Sequence, residues 1–187
     1  GINDALEGKE SRLSEAQVQA TIATLQERAQ ERQLEEQAKQ AQLAAKAAEN
    51  NAAAGIAYLA ENAKKDGVVT TISGLQYKEL TAGEGYMHEA SDTVSVHYKG
   101  TLVDGTEFDS SYGRGAPAVF PVNGVIPGWT EALQLMNVGD KWELTIPSTL
   151  AYGTGGTGST IGPNAVLVFE VELLELVAPE KPINLSQ

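Results

Sequence analysis

The side chains able to shape chemistry in this sequence gather after residue 95 and are almost all aromatic or aliphatic: Tyr98, Phe108, Phe120, Val125, Ile126, Trp129, Tyr152 and Phe169. One carboxylate, Asp109, stands among them in the run Phe108-Asp109-Ser110-Ser111. Spacing alone favours ordinary core packing, because aromatic residues in strands are usually core. Other chemistries lack raw material. With two histidines, and His97 alternating away from Tyr98, neither a Ser/His/Asp relay nor a histidine metal site can be assembled. The absence of cysteine excludes disulfides, thiolate metal sites and cysteine nucleophiles. Gly153, Gly155 and Gly158 spell G-x-G-x-x-G, but Ser159-Thr160-Ile161-Gly162-Pro163 follows and leads into a strand, whereas a dinucleotide loop needs a helix there.

The elements that must position these residues fall into two halves of different composition. Up to Lys65 there is no proline and one aromatic, Tyr58. Ser14 with Gln17 forms a capping box, with Leu13 and Val18 at the staple positions around it. Val18, Ile22, Leu25 and Ala29 then repeat at helical spacing, and after a one-residue slip Leu34, Ala38, Ala41, Ala45, Ala48, Ala52, Ile56, Leu59 and Ala63 continue the stripe. Alanine favours helix but buries little area, so the seam drives coiled-coil pairing weakly. Glu35 with Lys39, Glu61 with Lys65 and Arg32 with Glu36 are expected to support the helix as i,i+4 pairs. Lys64, Lys65 and Gly67 mark its end. Ile2, Ala5 and Leu6 before Gly8 read as the last turn of an earlier element, so the chain is expected to begin within a domain.

The second half has strand chemistry. Val94, Val96 and Tyr98 alternate with polar residues, as do Trp142, Leu144 and Ile146, and Leu167, Phe169, Val171 and Leu173. The one helical stretch expected there runs from Trp129 to Met136, between Pro127-Gly128 and Gly139. Sheet with one short helix is an α+β fold. The expected division is a helical segment over 1–67, with a long helix at about 14–65, a compact domain over 68–178 and a tail over 179–187. A net charge of -12 argues against nucleic acid as a partner. No apolar run reaches the roughly 18 to 20 residues needed to span a bilayer.

The order of the motifs is more specific than their composition. Val96-His97-Tyr98-Lys99-Gly100-Thr101-Leu102, Asp104-Gly105-Thr106-Glu107-Phe108-Asp109-Ser110-Ser111, Val125-Ile126-Pro127-Gly128-Trp129, Ala151-Tyr152-Gly153 and Leu167-Val168-Phe169-Glu170-Val171-Glu172-Leu173 resemble the FKBP-type peptidyl-prolyl cis-trans isomerases. The long helix with Ala60-Glu61-Asn62 is similar to the bacterial macrophage-infectivity-potentiator branch. The resemblance implies a twisted antiparallel sheet around a short helix, with a proline-binding pocket between them. It implies Trp129 as the floor, Tyr98, Phe108 and Phe169 as walls, and Val125 and Ile126 as rim, with Phe120 and Ile161 also binding. The Ile126 N–H and the Tyr152 hydroxyl would each bond a substrate carbonyl, and Asp109 would sit beside Tyr98 and Arg114.

The same resemblance implies no cofactor, proline-containing and unfolded polypeptides as partners, and macrolides such as tacrolimus or rapamycin as inhibitors. It further implies a homodimer for the complete protein, this chain being monomeric, and a periplasmic, outer-membrane-associated or cell-surface location, with cytoplasmic as the alternative. A binding module or chaperone with little turnover is the competing function. Ala118, Gly124, Thr157 and Thr160 depart from residues frequent in the family, which bears on drug affinity and sequence preference.

Overall fold

A computed structural model describes residues 15–86 and 89–177. The expected cap at Leu13 and Ser14, the turn around Ile2 to Gly8 and the tail at 179–187 lie outside the described residues. The elements are helix α1 (Glu15–Asn62), strands β1 (Val68–Thr70), β2 (Gln76–Thr81), β3 (Thr93–Leu102) and β4 (Glu107–Ser110), helix α2 (Ser111–Arg114), strand β5 (Ala118–Pro121), helix α3 (Pro127–Leu133), and strands β6 (Lys141–Ile146) and β7 (Leu167–Val177). The described residues fall into two compact units that divide between Leu43 and Ala44.

In the first unit the described residues are helical throughout, and Val18, Ile22, Leu25, Leu34 and Leu43 are exposed. Arg32 Nε donates to the Arg28 carbonyl and Glu36 accepts from Gln40 Nε2, so the expected Arg32 to Glu36 pairing is displaced by nearer partners.

The second unit is an α+β fold. Its antiparallel sheet runs β1-β2-β6-β7-β3-β4, with β5 also pairing β3. Alternation built it as expected: Val94, Val96 and Tyr98 on β3, Trp142, Leu144 and Ile146 on β6, and Leu167, Phe169, Val171 and Leu173 on β7 are all buried. Helix α3 presses Trp129, Ala132 and Leu133 onto that face. It approaches so closely at Gly128 that a Cβ there would lie 2.5 Å from Ile146 Cγ2.

Three local expectations need correction. Helix α3 begins at Pro127, which is compatible with a first helical turn, and gives way after Leu133 to tighter turns through Met136. The second half also contains α2, one turn ended by Gly115 in a left-handed conformation (φ 72°). Helix α1 stops at Asn62, since Lys64 and Lys65 bond back three residues before Gly67 turns the chain with φ 79°, and Glu61 pairs with Lys64 at 2.7 Å in place of Lys65.

The face by which the last turns of α1 meet the sheet is shifted from the expected stripe. Gly55 and Asn62 are buried, whereas Ile56 is 70% exposed and Ala63 is exposed. Close approach decides this, for a Cβ at Gly55 would stand 2.6 Å from Val166 Cγ2. Hydrogen bonding completes it. Asn62 Nδ2 donates to Gln76 Oε1 at 3.0 Å and lies 3.2 Å from Thr145 Oγ1, while Gln76 Nε2 donates to the Leu59 carbonyl at 3.0 Å. Removing the Asn62 amide leaves Gln76 Oε1 and Thr145 Oγ1 buried without that donor, at a cost of about 1 to 3 kcal/mol. Asn62→Ala is therefore expected to lower unfolding stability by about that amount in urea titrations. A change under about 0.5 kcal/mol would show that the trio does not fasten the helix.

Candidate active site

The pocket is built where β3 and β7 pass under α3. Gly100 pairs with Asp109 on β4 and with Phe169 on β7. A Cβ on Gly100 would lie 2.6 Å from Phe108 and 2.7 Å from Phe169, so a bare backbone is what lets these two rings approach. They meet edge to face with centroids 5.4 Å apart. Trp129, at the start of α3, receives Tyr98 and Phe169 edge to face at 5.2 Å each and Phe120 at 5.9 Å. Such geometry aligns the positive edge of one ring with the negative face of another. The Trp129 indole N–H is buried with no partner among the described residues, so packing alone holds this ring.

These rings enclose a cavity of about 740 Å³, open to solvent. Ten expected site residues line it: Tyr98, Phe108, Asp109, Phe120, Val125, Ile126, Trp129, Tyr152, Ile161 and Phe169. Arg114 does not. It stands behind the wall, where its guanidinium pairs with Asp109 through Nη1, donates to Tyr98 Oη through Nη2 at 2.7 Å, and lies 5.4 Å from the Tyr98 ring centre. Tyr98 Oη in turn donates to Asp109 Oδ2 at 2.5 Å. Two donors at the rim remain uncommitted. The Ile126 N–H has no partner among the described residues, its carbonyl being taken by Trp129 and Thr130 N–H at 2.9 and 3.1 Å, and the hydroxyl of the 41% exposed Tyr152 has none either.

The far wall is a flap in which Thr157 and Ile161 pair as a small antiparallel bridge, N to O at 2.8 and 3.3 Å. Gly158 turns it with φ 60°. Of the G-x-G-x-x-G run, Gly158 thus serves a hairpin turn, and Gly153 lies ahead of it with φ 59°. Its residues Thr157, Gly158, Ser159 and Thr160 line the cavity, as does Gly124. Sequence reasoning gave Gly158 and Ser159 no place in the site, since they contribute backbone and small polar groups that carry no pattern. It also passed over Ser111. This buried hydroxyl accepts from the Tyr98 N–H at 2.8 Å, lies 3.2 Å from the Tyr98 carbonyl as donor, and meets His97 Nδ1 at 2.9 Å. It thereby locks α2 onto the strand that carries Tyr98.

Electrostatics follow from this network. Burial pushes the Tyr98 phenol up from its ordinary value, and the bond to Asp109 adds to that. Burial alone would raise Asp109, but hydrogen bonds from Tyr98 and Arg114 and the guanidinium charge outweigh it and hold the carboxyl below its usual range. At neutral pH the cluster is therefore a carboxylate, a guanidinium and a neutral phenol. A carboxyl depressed in the folded state stabilises the fold above its unfolded value of about 3.9 and loses that contribution as pH falls through the lower folded value. Carbon-detected NMR titration is expected to give Asp109 a midpoint below about 3.9. A midpoint at or above the ordinary carboxylate value would mean that Arg114 does not engage it in solution.

Comparison with known proteins matches this geometry. Residues 85–174 fit the family model of the FKBP-type peptidyl-prolyl cis-trans isomerase, and residues 1–78 that of the domain amino terminal to such isomerases. The chain is 52% identical to the FKBP-type 22 kDa peptidyl-prolyl cis-trans isomerase of Escherichia coli, over 95% of this chain and 81% of that protein. It is 47% identical to the peptidyl-prolyl cis-trans isomerase Mip of Coxiella burnetii, over 94% of this chain and 74% of that one. It spans 63% of the length of the FkpA of Aeromonas hydrophila. The crystal structure of FkpA from Escherichia coli superposes with a TM-score of 0.71 at 45% identity, covering 94% of this chain and 78% of that one. An aromatic pocket between sheet and helix, a match to both family models and relatives of this identity lead to one assignment: the chain belongs to the FKBP-type peptidyl-prolyl cis-trans isomerases and is an enzyme of that class.

Proposed function

We propose that this chain accelerates rotation about X-Pro bonds by holding the proline in the Trp129 pocket and anchoring the flanking carbonyls at its rim. The supporting observation is the pairing of an aromatic floor with two uncommitted donors, the Ile126 N–H and the Tyr152 hydroxyl. Rotation about a peptide C–N bond costs about 18 to 20 kcal/mol because it breaks amide resonance, and uncatalysed X-Pro exchange takes tens of seconds or longer. No bond has to be cleaved. The twisted state has less charge separation than the planar one, so an apolar cavity disfavours the planar ground state relative to it. Tyr98, Phe108, Phe120 and Phe169 supply that environment, Val125 and Ile161 close its rim, and the anchored carbonyls turn binding energy into twist. Asp109 acts through charge and position, held by Arg114, and not as a general base.

In this reading residues 68–178 are the catalytic domain, and residues 1–67 belong to a helical region through which the complete protein dimerises, the chain itself remaining monomeric. The substrates are proline-containing segments of unfolded polypeptides, and tacrolimus or rapamycin fills the same pocket. Extracytoplasmic placement, periplasmic or at the outer membrane, is supported by the name of a Legionella longbeachae relative, outer membrane protein MIP, which is 44% identical to this chain. No helix among the described residues is long and apolar enough to cross a membrane.

Turnover of proline tetrapeptides, followed by NMR exchange or a protease-coupled assay, tests the reading against a binding module that grips proline without isomerising it. Tyr152→Phe removes a single hydroxyl and is expected to lower kcat/KM roughly two- to tenfold, the range of one neutral hydrogen bond, with the melting temperature unchanged. Wild-type kcat/KM would take Tyr152 out of the mechanism. Asp109→Leu is expected to reduce turnover and to weaken inhibition by tacrolimus together, because both depend on the placement of Tyr98. Inhibition equal to wild type would dissociate the carboxylate from the pocket.

A further inference from the structure

Behind the flap lies a second cavity of about 340 Å³ that takes no part in holding proline. Its walls include Asn50, Asn51 and Ala54 of α1, Leu102 at the end of β3, Val166 at the foot of the flap, and Asp104, whose carboxylate accepts from the Thr106 N–H at 2.9 Å. Ser159 and Thr160 line it as well, and the same two residues line the proline pocket. We propose that this cavity extends the substrate site and receives an apolar side chain of the polypeptide a few residues from its proline. The proposal rests on the isomerase reading and names a determinant of its specificity.

Three observations carry it. Continuity comes first: a polypeptide seated on Trp129 must leave the pocket across its rim, and the flap is one wall of both spaces, so a chain crossing Ser159 and Thr160 enters the second cavity directly. The second is rigidity. Asn51 Nδ2 donates to the Pro163 carbonyl at 2.9 Å, Asn164 Nδ2 donates to the Ala48 carbonyl at 3.3 Å, and Gly55 lets the helix close on Val166. Reciprocal bonds of this kind fix helix and flap relative to each other, so the space between them exists before a ligand arrives, and little ordering is required on binding. The third is chemistry and size. Leu102, Ala54 and Val166 offer aliphatic surface, while Asn51 Oδ1 has no partner among the described residues and can accept a peptide N–H. The volume lies at the lower end of the roughly 300 to 1,000 Å³ typical of small-ligand sites, enough for one or two side chains. Once proline is bound, this second contact is intramolecular and adds affinity without any change in the reacting pocket.

Peptide length separates this proposal from the isomerase reading beneath it. Wild-type protein is expected to turn over ten-residue peptides bearing Leu or Phe on either side of Ala-Pro with higher kcat/KM than the Ala-Pro tetrapeptide. Ala54 is exposed on the helix, and A54W fills the cavity from that side. The long-to-short ratio of kcat/KM is expected to drop roughly tenfold in this variant, the low end of discrimination by a hydrophobic pocket. On wild-type protein, methyl NMR signals of Leu102 and Val166 are expected to move with the long peptides and to stay with the tetrapeptide. An unchanged ratio in A54W, or long-peptide shifts confined to the proline pocket, overturns the proposal while tetrapeptide turnover stands. Failure of the wild type to turn over the tetrapeptide would instead overturn the isomerase reading and the proposal with it.

Discussion

An apolar hole open to water tends to collapse, and the rest of this structure is organised to prevent that. Hydrophobic burial rewards closing such a space, so its walls must be fixed by contacts stronger than the gain from filling it. Trp129 is that fixture. Three rings meet it edge to face, and α3, which carries it, is pressed to the sheet at Gly128. Gly100 performs the complementary task by letting Phe108 and Phe169 meet across β3. The walls lean on one another, and the cavity is the volume that none of them can enter.

The same economy of space sets how α1 ends. A helix packing on a sheet through large aliphatic residues has many registers of similar energy, because such contacts are non-directional. Here Gly55 at the closest approach and the amides of Asn62 and Gln76 admit one register, since a shift would strand buried donors. Specificity of docking is obtained with little apolar area. The docked turns also reach the flap through Asn51 and Asn164, so helix and pocket share a boundary.

Legibility in the sequence followed the periodicity of burial. On β3, β6 and β7 the alternation of apolar and polar residues placed the inward face correctly, because each strand covers the core with one face. That periodicity turned Tyr98 and Phe169 inward, whereas their meeting with Trp129 of α3 in one pocket was implied by the family resemblance and not by spacing. The α1 stripe misled at Ile56 and Ala63, where apolar spacing carried no weight against close approach and hydrogen bonding. Strands β1, β4 and β5 were not read because runs of three or four residues at sheet margins leave too few alternations to count, and β2 was not read because its six residues are mostly polar and show no apolar alternation. The flap residues Gly158 and Ser159 act through backbone shape, and Ser111 through a buried hydroxyl, features that side-chain pattern does not encode. Arg114 lies outside the wall because its length lets it reach Asp109 and Tyr98 from behind while half exposed.

The charged corner of the pocket is consistent with a reaction that moves toward lower polarity. A bare carboxylate at the rim would project a field into the cavity, and a planar amide, with its larger charge separation, would profit from that field more than a twisted one. Here the carboxylate is bonded on both oxygens, by the guanidinium of Arg114 and by the phenol of Tyr98. Its charge is neutralised at contact distance, and the field falls off as that of a compact pair. What reaches the cavity from this corner is chiefly geometry: Tyr98 is held by its hydroxyl at one end and by Ser111 at its backbone, with its ring edge against Trp129. A pair half exposed to solvent contributes little to folding stability, since water screens it. Its value lies in orienting a ring, and that value persists across the neutral pH range because Asp109 stays ionised and Tyr98 stays protonated throughout it.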